Sequence, residues 1–253
     1  MKDLTVLIAA NFIKSHPKIK FIKQVLDSLS FCGISQDTPI VITHDALNVK
    51  IAKKEEVDCY RQYFVNLKQY CEEELSYKNL IITETEQWGH LTLNVKHGMQ
   101  FVKTKYVLVL QQDIAFTENV PVYNLIDLME KHQEIKHLRF NTRTNHPIWD
   151  QWDGWKKDGK TVFHEVNFDG VKLCYTPAWS DQSHITTKEY YDKIVFPDCA
   201  GSDGYIMLDV MESRLNPKCH ENHARYGTYI YGEYGKPKTT KHLDGQETGR
   251  TNW

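Results

Sequence analysis

The chain has no C-x-x-C pair, no apolar run long enough for a membrane and almost no net charge. Each absence closes a class. The 6 cysteines, at 32, 59, 71, 174, 199 and 219, follow no regular framework, so they read as reduced thiols of a cytoplasmic protein. No segment approaches the roughly 20 apolar residues that span a bilayer, and the apolar start after Met1 is too brief for a secretory leader, so a soluble protein is expected. A formal net charge of -2 gives no electrostatic reason for nucleic acid or an anionic membrane to be the main partner. Repeats and low-complexity linkers are absent too.

What is there is a 253-residue chain, 41% hydrophobic and 25% charged, long enough to bury the core of one α/β-sized domain. Its 14 Tyr and 6 Trp suit a pocket for flat or ring-shaped ligands such as sugars and bases. The central stretch is Lys105 to Phe116. Tyr106 to Leu110 is a continuous branched apolar run, the pattern of a strand covered on both faces. It breaks into Gln111, Gln112 and Asp113. Open α/β sheets place ligands at the carboxyl ends of such strands, where a carboxylate can hold a hard cation against a diphosphate.

The rest of the chain alternates in the same way. Strands are expected at Leu4 to Ala10, Pro39 to Thr43 and Leu80 to Thr83, the first two running into polar loops at Asn11 and at His44-Asp45. Between them, Phe21, Ile22, Val25, Leu26 and Leu29 lie at helical spacing, as do Tyr60, Phe64, Leu67 and Tyr70. Gly89 leads into a helix before the central strand, Asn124 to His132 is a further helix, and Ile135 to Phe140 another strand. From Asn141 the character changes. A polar, aromatic and irregular segment carries Trp149, Asp150, Trp152, Asp153 and Trp155. Val162 to Tyr175 alternates around Asp169-Gly170, a hairpin signal. Gly201-Ser-Asp-Gly204 caps a helix through Arg214, and Gly227 to Tyr234 is a last strand.

In this order the motifs resemble the nucleotide-sugar glycosyltransferases of the GT-A fold. The resemblance implies an α/β, Rossmann-like fold with a mixed central sheet and flanking helices in one domain over 1–253. Residues 1–140 would form the nucleotide-sugar half, 141–245 the acceptor half and 246–253 a tail. It implies an inverting, metal-dependent transfer from a nucleotide-diphosphate sugar, UDP by default and GDP as the alternative, to a hydroxyl of a glycan or glycoconjugate. Ala10, Asn11, Phe12 and Asp45 would face the nucleotide, with Lys96 and Lys241 toward the phosphates and Gln112 among the donor-binding residues. Asp113 and His242 would hold Mn²⁺ or Mg²⁺. The family's acidic motif is Asp-x-Asp, and Gln111 replaces its first acid, leaving an amide for the ribose. Asp203 matches the acid that deprotonates the acceptor hydroxyl. Asp181, beside Trp179, is a second candidate, since a carboxylate next to an indole grips a sugar ring; Trp179, Trp152 and Asp153 would bind the acceptor. Two rivals stand beside this. A sugar-phosphate nucleotidyltransferase would want a Gly-rich basic loop after the first strand, and Asn11 to Pro17 has no Gly. A non-catalytic carbohydrate- or nucleotide-binding relative would fit the altered acidic motif.

Overall fold

The computed structural model describes residues 3–75, 77–145, 156–157, 160–161, 163–200, 211–236 and 238–243. The first half is β1 (Leu4–Ala10), α1 (Lys20–Ser28), β2 (Ile40–His44), α2 (Lys54–Glu73), β3 (Leu80–Glu84), α3 (His90–Met99) and β4 (Tyr106–Gln111). Then come β5 (Ile114–Phe116), α4 (Val122–Lys131), β6 (His137–Arg139), and two short strands, β7 (Lys156–Lys157) and β8 (Lys160–Thr161). A hairpin, β9 (His164–Phe168) and β10 (Val171–Tyr175), leads to β11 (His184–Thr187). Next are α5 (Lys188–Tyr190), a wider turn over Tyr191–Val195, α6 (Phe196–Cys199), α7 (Met211–Glu221), α8 (His223–Tyr226), β12 (Thr228–Tyr231) and β13 (Thr240–His242).

Nine strands form one mixed sheet in the order β3-β2-β1-β4-β11-β6-β12-β10-β9. β3, β2, β1 and β4 are parallel, with a helix between each strand and the next in the chain, while β11 runs antiparallel to both β4 and β6. All seven residues of β1 are buried, because helices cover both faces of the sheet. Leu4, Val6 and Ile8 enter a core with α1, α2 and α4; Leu7 and Ala9 enter a second core with α3, α6 and α7. The period of two thus sorts one strand into two cores.

Glycine decides how closely α3 approaches. A Cβ on Gly98 would lie 2.5 Å from Leu7 Cδ1 and 2.8 Å from Thr43 Cγ2. Gly98→Ala is expected to cost about 1–3 kcal/mol through overpacking, read as a lower urea midpoint at unchanged slope. An unchanged midpoint would mean that α3 can back off without loss.

The Asp-Gly signal is met: Asp169 and Gly170 take φ of 50° and 86° at the tip of the β9–β10 hairpin, the two positive values of a type I′ turn. Two expectations shift. α7 runs through Pro217 to Glu221 rather than ending near Arg214, with Leu215 and Cys219 buried along its inner face. That packing outweighs the backbone donor that Pro217 lacks. The expected helix start at Gly201 to Gly204 lies outside the described residues. And Lys236 to Gly245 is not wholly loop, since β13 pairs with β5. Among the described residues no helix is long and apolar enough to cross a membrane.

Candidate functional site

β1, β2 and β4 end at one edge of the sheet. Because β11 is antiparallel to β4 and to β6, its first residue and the last of β6 reach that edge too, with His184 opposite both Val109 and Arg139. The edge is fixed by one buried amide. Asn94, on α3, donates through Nδ2 to Ala10 O at 2.7 Å and to Thr43 O at 3.3 Å, and its Oδ1 accepts from Thr43 Oγ1 at 2.8 Å. Gln112 is buried and donates to Asn11 O at 2.9 Å and Asn11 Oδ1 at 2.6 Å, tying the end of β4 to the loop after β1.

Asp45 is turned inward. Its Oδ1 accepts from Gly89 N–H at 2.8 Å and Thr85 Oγ1 at 3.3 Å, holding the β3–α3 loop, while its own carbonyl accepts from Tyr60 OH at 2.7 Å. Burial pushes the Asp45 carboxyl up, opposed by the Gly89 and His90 N–H groups and the Thr85 hydroxyl. It shapes the edge from below, and its 4% exposure leaves little for a ligand. Ala10 is likewise buried, Asn11 exposed and Phe12 half-buried.

Phe12 packs edge-on to His16 and Tyr60, with ring centroids 5.5 and 5.8 Å away, and His16 stacks on Tyr63 at 3.9 Å. Burial pulls His16 and His184 down to about 4 and His44 to about 3. All three imidazoles are neutral in the fold, whereas an unfolded histidine titrates near 6.5. The unfolded chain therefore binds more protons below that value, and stability is lost as pH falls from about 6.5 toward 4. The expected loss is up to roughly 1.4 kcal/mol per pH unit for each histidine. Urea unfolding at pH 7 and pH 5 reads it; equal midpoints would contradict the burial of these rings.

Asp113 follows β4 directly, and the β5–β13 pair brings the end of the chain back to it. Leu243 N–H donates to Asp113 O at 2.8 Å, and His242 Nδ1 lies 3.7 Å from Asp113 Oδ2. The two expected metal ligands thus meet although well over one hundred residues separate them; the neighbouring Thr117–Thr239 bond spans 122. Two ligands of one cation, each about 2.1 Å from it, can sit at such a separation. Among the described residues no group of three or more His, Cys, Asp or Glu could hold a metal. Lys241 is exposed and alternates away from His242 along β13. Lys96 is exposed in the later part of α3, its Nζ over the Phe196 ring at 5.9 Å. Six residues into α3, it lies about 9 Å along the axis from the helix start at the site edge.

Gln111 Nε2 donates to Asp181 O at 3.2 Å, joining the end of β4 to the loop before β11. Trp179 needs a correction. It is 1% exposed and packed among core side chains, with its ring 5.3 Å from His137, so its faces are covered and cannot stack on a sugar. Asp203, Trp149, Asp150, Trp152, Asp153 and Trp155 lie outside the described residues. Asn94 escaped the sequence pattern, although it left a trace there: an amide inside a helix, where its backbone competition is unfavourable, needs a reason.

No family model and no curated protein matches the sequence. Among solved structures, the chain is similar to Staphylococcus aureus TarS residues 1–349 in complex with UDP, at 12% identity and a TM-score of 0.52, over 95% of this chain and 60% of that one. The corresponding complex with UDP-GlcNAc gives 12% identity and a TM-score of 0.51, covering 97% and 61%. TarS 1–349 alone gives 12% identity and 0.50, again over 97% and 61%. This chain therefore spans about three fifths of these three TarS structures. With the parallel β3-β2-β1-β4 unit, the antiparallel β11 and the helices on both faces, the chain has the fold of the GT-A glycosyltransferases.

Proposed function

We propose that the chain is a glycosyltransferase that moves a sugar from a nucleotide-diphosphate donor to a hydroxyl of a glycan or glycoconjugate, with inversion and with a divalent cation. The observation that carries this is the meeting of Asp113 and His242 at the carboxyl edge, in a fold shared with structures holding UDP and UDP-GlcNAc. UDP is the nucleotide these similarities favour.

The base would lie over Asn11 and Phe12, on the loop that Gln112 and Asn94 hold in place. Asp45 fixes the adjoining loop rather than reading the base directly. Asp113 and His242 would hold Mn²⁺ or Mg²⁺, with diphosphate oxygens and water completing the shell; oxygen ligands suit both ions, and an imidazole suits Mn²⁺ better. A cation bound there neutralises the charge that builds on the departing diphosphate. On the other side, Asp203 or Asp181 takes the proton from the acceptor hydroxyl. Lys241 reaches the phosphates only if its strand turns. The covered Trp179 leaves stacking to Trp152 with Asp153. The same reading makes the protein a soluble, cytoplasmic one with no nucleic-acid partner.

Thermal melting with UDP, GDP and CDP, each with Mn²⁺ or EDTA, tests this. A donor nucleotide raises the melting temperature by mass action, by about 2.7 kcal/mol of stabilisation at one hundred times its Kd. The expected result is a rise with UDP that EDTA removes. No rise with any nucleotide would overturn the donor site and favour a carbohydrate-binding module.

A further inference from the structure

The loop between β2 and α2 stands at the carboxyl edge with apolar side chains turned to water. Asn48 closes it into one tight turn: its carbonyl accepts from Ile51 N–H at 3.1 Å and Ala52 N–H at 2.9 Å, and its Oδ1 from Lys50 N–H at 3.3 Å. At the tip Val49 is 75% exposed and Ile51 78%, more than any other large apolar side chain among the described residues, and Lys50 between them is exposed too. The neighbouring β3–α3 loop shows the exposed indole of Trp88. It is fastened to the same place, since Thr85 Oγ1 accepts from Ala46 N–H and Asp45 Oδ1 from Gly89 N–H, each at 2.8 Å. Lone exposed aliphatics are ordinary; two on one stapled tip, with an indole on the next loop, make a contact surface. The charge on the tip has one sign. Residues 46–54 carry Lys50, Lys53 and Lys54 and no acid, and 11–19, stacked on α2 through His16 and Tyr63, carry Lys14 and Lys18 and no acid. All five lysines are exposed. Acids enter only inside α2, where Glu56 accepts from Lys53 N–H at 2.8 Å, and at Glu86 on the Trp88 loop. The net charge of -2 on the whole chain does not oppose a local basic surface, because charges act over only about 8–10 Å at physiological salt.

We propose that the 46–54 loop and Trp88 form an interfacial anchor that seats the carboxyl edge on an anionic lipid bilayer. Val49 and Ile51 enter the boundary between headgroups and acyl chains, the indole lies at headgroup level, and Lys50, Lys53 and Lys54 meet the lipid phosphates. Stable attachment through a surface element takes two signals together, here one apolar and one basic. That pairing names the occupant. A protein covering the two aliphatics would have to strip water from the ammonium groups around them, whereas a bilayer offers phosphates just outside its apolar layer. Docking of this kind does not depend on which reaction the site performs, and it sets the mouth of that site against the membrane surface.

The test sediments the full chain with vesicles of phosphatidylcholine alone and of equal parts phosphatidylcholine and phosphatidylglycerol. Binding to the anionic vesicles is expected to be at least about tenfold tighter and to fall in high salt. Val49→Ser with Ile51→Ser is expected to weaken it by about tenfold or more. Lys50→Gln, Lys53→Gln and Lys54→Gln together should weaken it by about 100-fold, roughly fivefold for each lysine. Both variants keep the urea midpoint of the wild type, because these side chains are exposed. Ile81→Ser, an exposed position near the amino end of β3, is the control and leaves binding unchanged. No preference for anionic vesicles, or unchanged binding by Val49→Ser with Ile51→Ser, overturns the anchor. An equal loss in Ile81→Ser overturns its assignment to this tip. Self-association of the free chain that Val49→Ser with Ile51→Ser abolishes, read by analytical ultracentrifugation, assigns the tip to a second copy instead and overturns the bilayer.

Discussion

Asp113→Ala is expected to remove the Mn²⁺-dependent part of nucleotide stabilisation and to lower kcat by about 100-fold or more. The carboxylate is the only charged protein ligand in the pair with His242, 3.7 Å away across the β5–β13 junction. A cation bound at diphosphate stabilises the leaving group by several kcal/mol, and each 1.4 kcal/mol is about tenfold in rate. His242→Ala should cost less, because a neutral imidazole can be replaced by water. The double variant should lose little more than Asp113→Ala alone, since the two act through one ion. Gln111→Asp supplies the converse: a second carboxylate at the end of β4 is expected to tighten Mn²⁺ binding. Melting with and without Mn²⁺ and steady-state kinetics read all four variants. Metal-independent nucleotide binding, unchanged in Asp113→Ala, would remove the cation from this site.

Asn94→Leu has the largest expected effect on the framework. The side chain is similar in size, so the loss is chiefly of hydrogen bonds. Thr43 Oγ1 loses its side-chain acceptor and Ala10 O one of its donors, although Asp45 N–H still reaches that carbonyl at 2.9 Å. Buried polar groups left unpaired cost about 1–3 kcal/mol each, so a loss of about 2–3 kcal/mol is expected, seen as a fall in the urea midpoint. Nucleotide binding should weaken by about tenfold as the ends of β1 and β2 part, since a loss of about 1.4 kcal/mol is tenfold in affinity. An Asn94→Leu protein that is destabilised yet binds nucleotide as before would confine Asn94 to a structural role.

The alternation of β1, α1, β2, α2, β3, α3 and β4 was legible because parallel strands covered on both faces must be apolar throughout, and Leu4 to Ala10 and Tyr106 to Leu110 are. Helix faces such as Ile22, Val25 and Leu26 were legible for the same reason, their spacing being a local record of burial. Trp179 was misread. An indole beside an acid looks like a sugar platform, but neighbours distant in sequence, His137 and Tyr190 among them, cover it.

By itself the sequence determined the α/β class, the Asp-Gly hairpin and the placement of Gln111, Gln112 and Asp113 at a strand end, because each depends on periodicity or turn chemistry within a few residues. Only the tertiary structure decided that β11 enters between β4 and β6, that β13 returns His242 to Asp113, and that Asp45 turns inward to hold the β3–α3 loop. Those outcomes depend on which distant surfaces pack and which polar groups then find partners, and no local pattern encodes either.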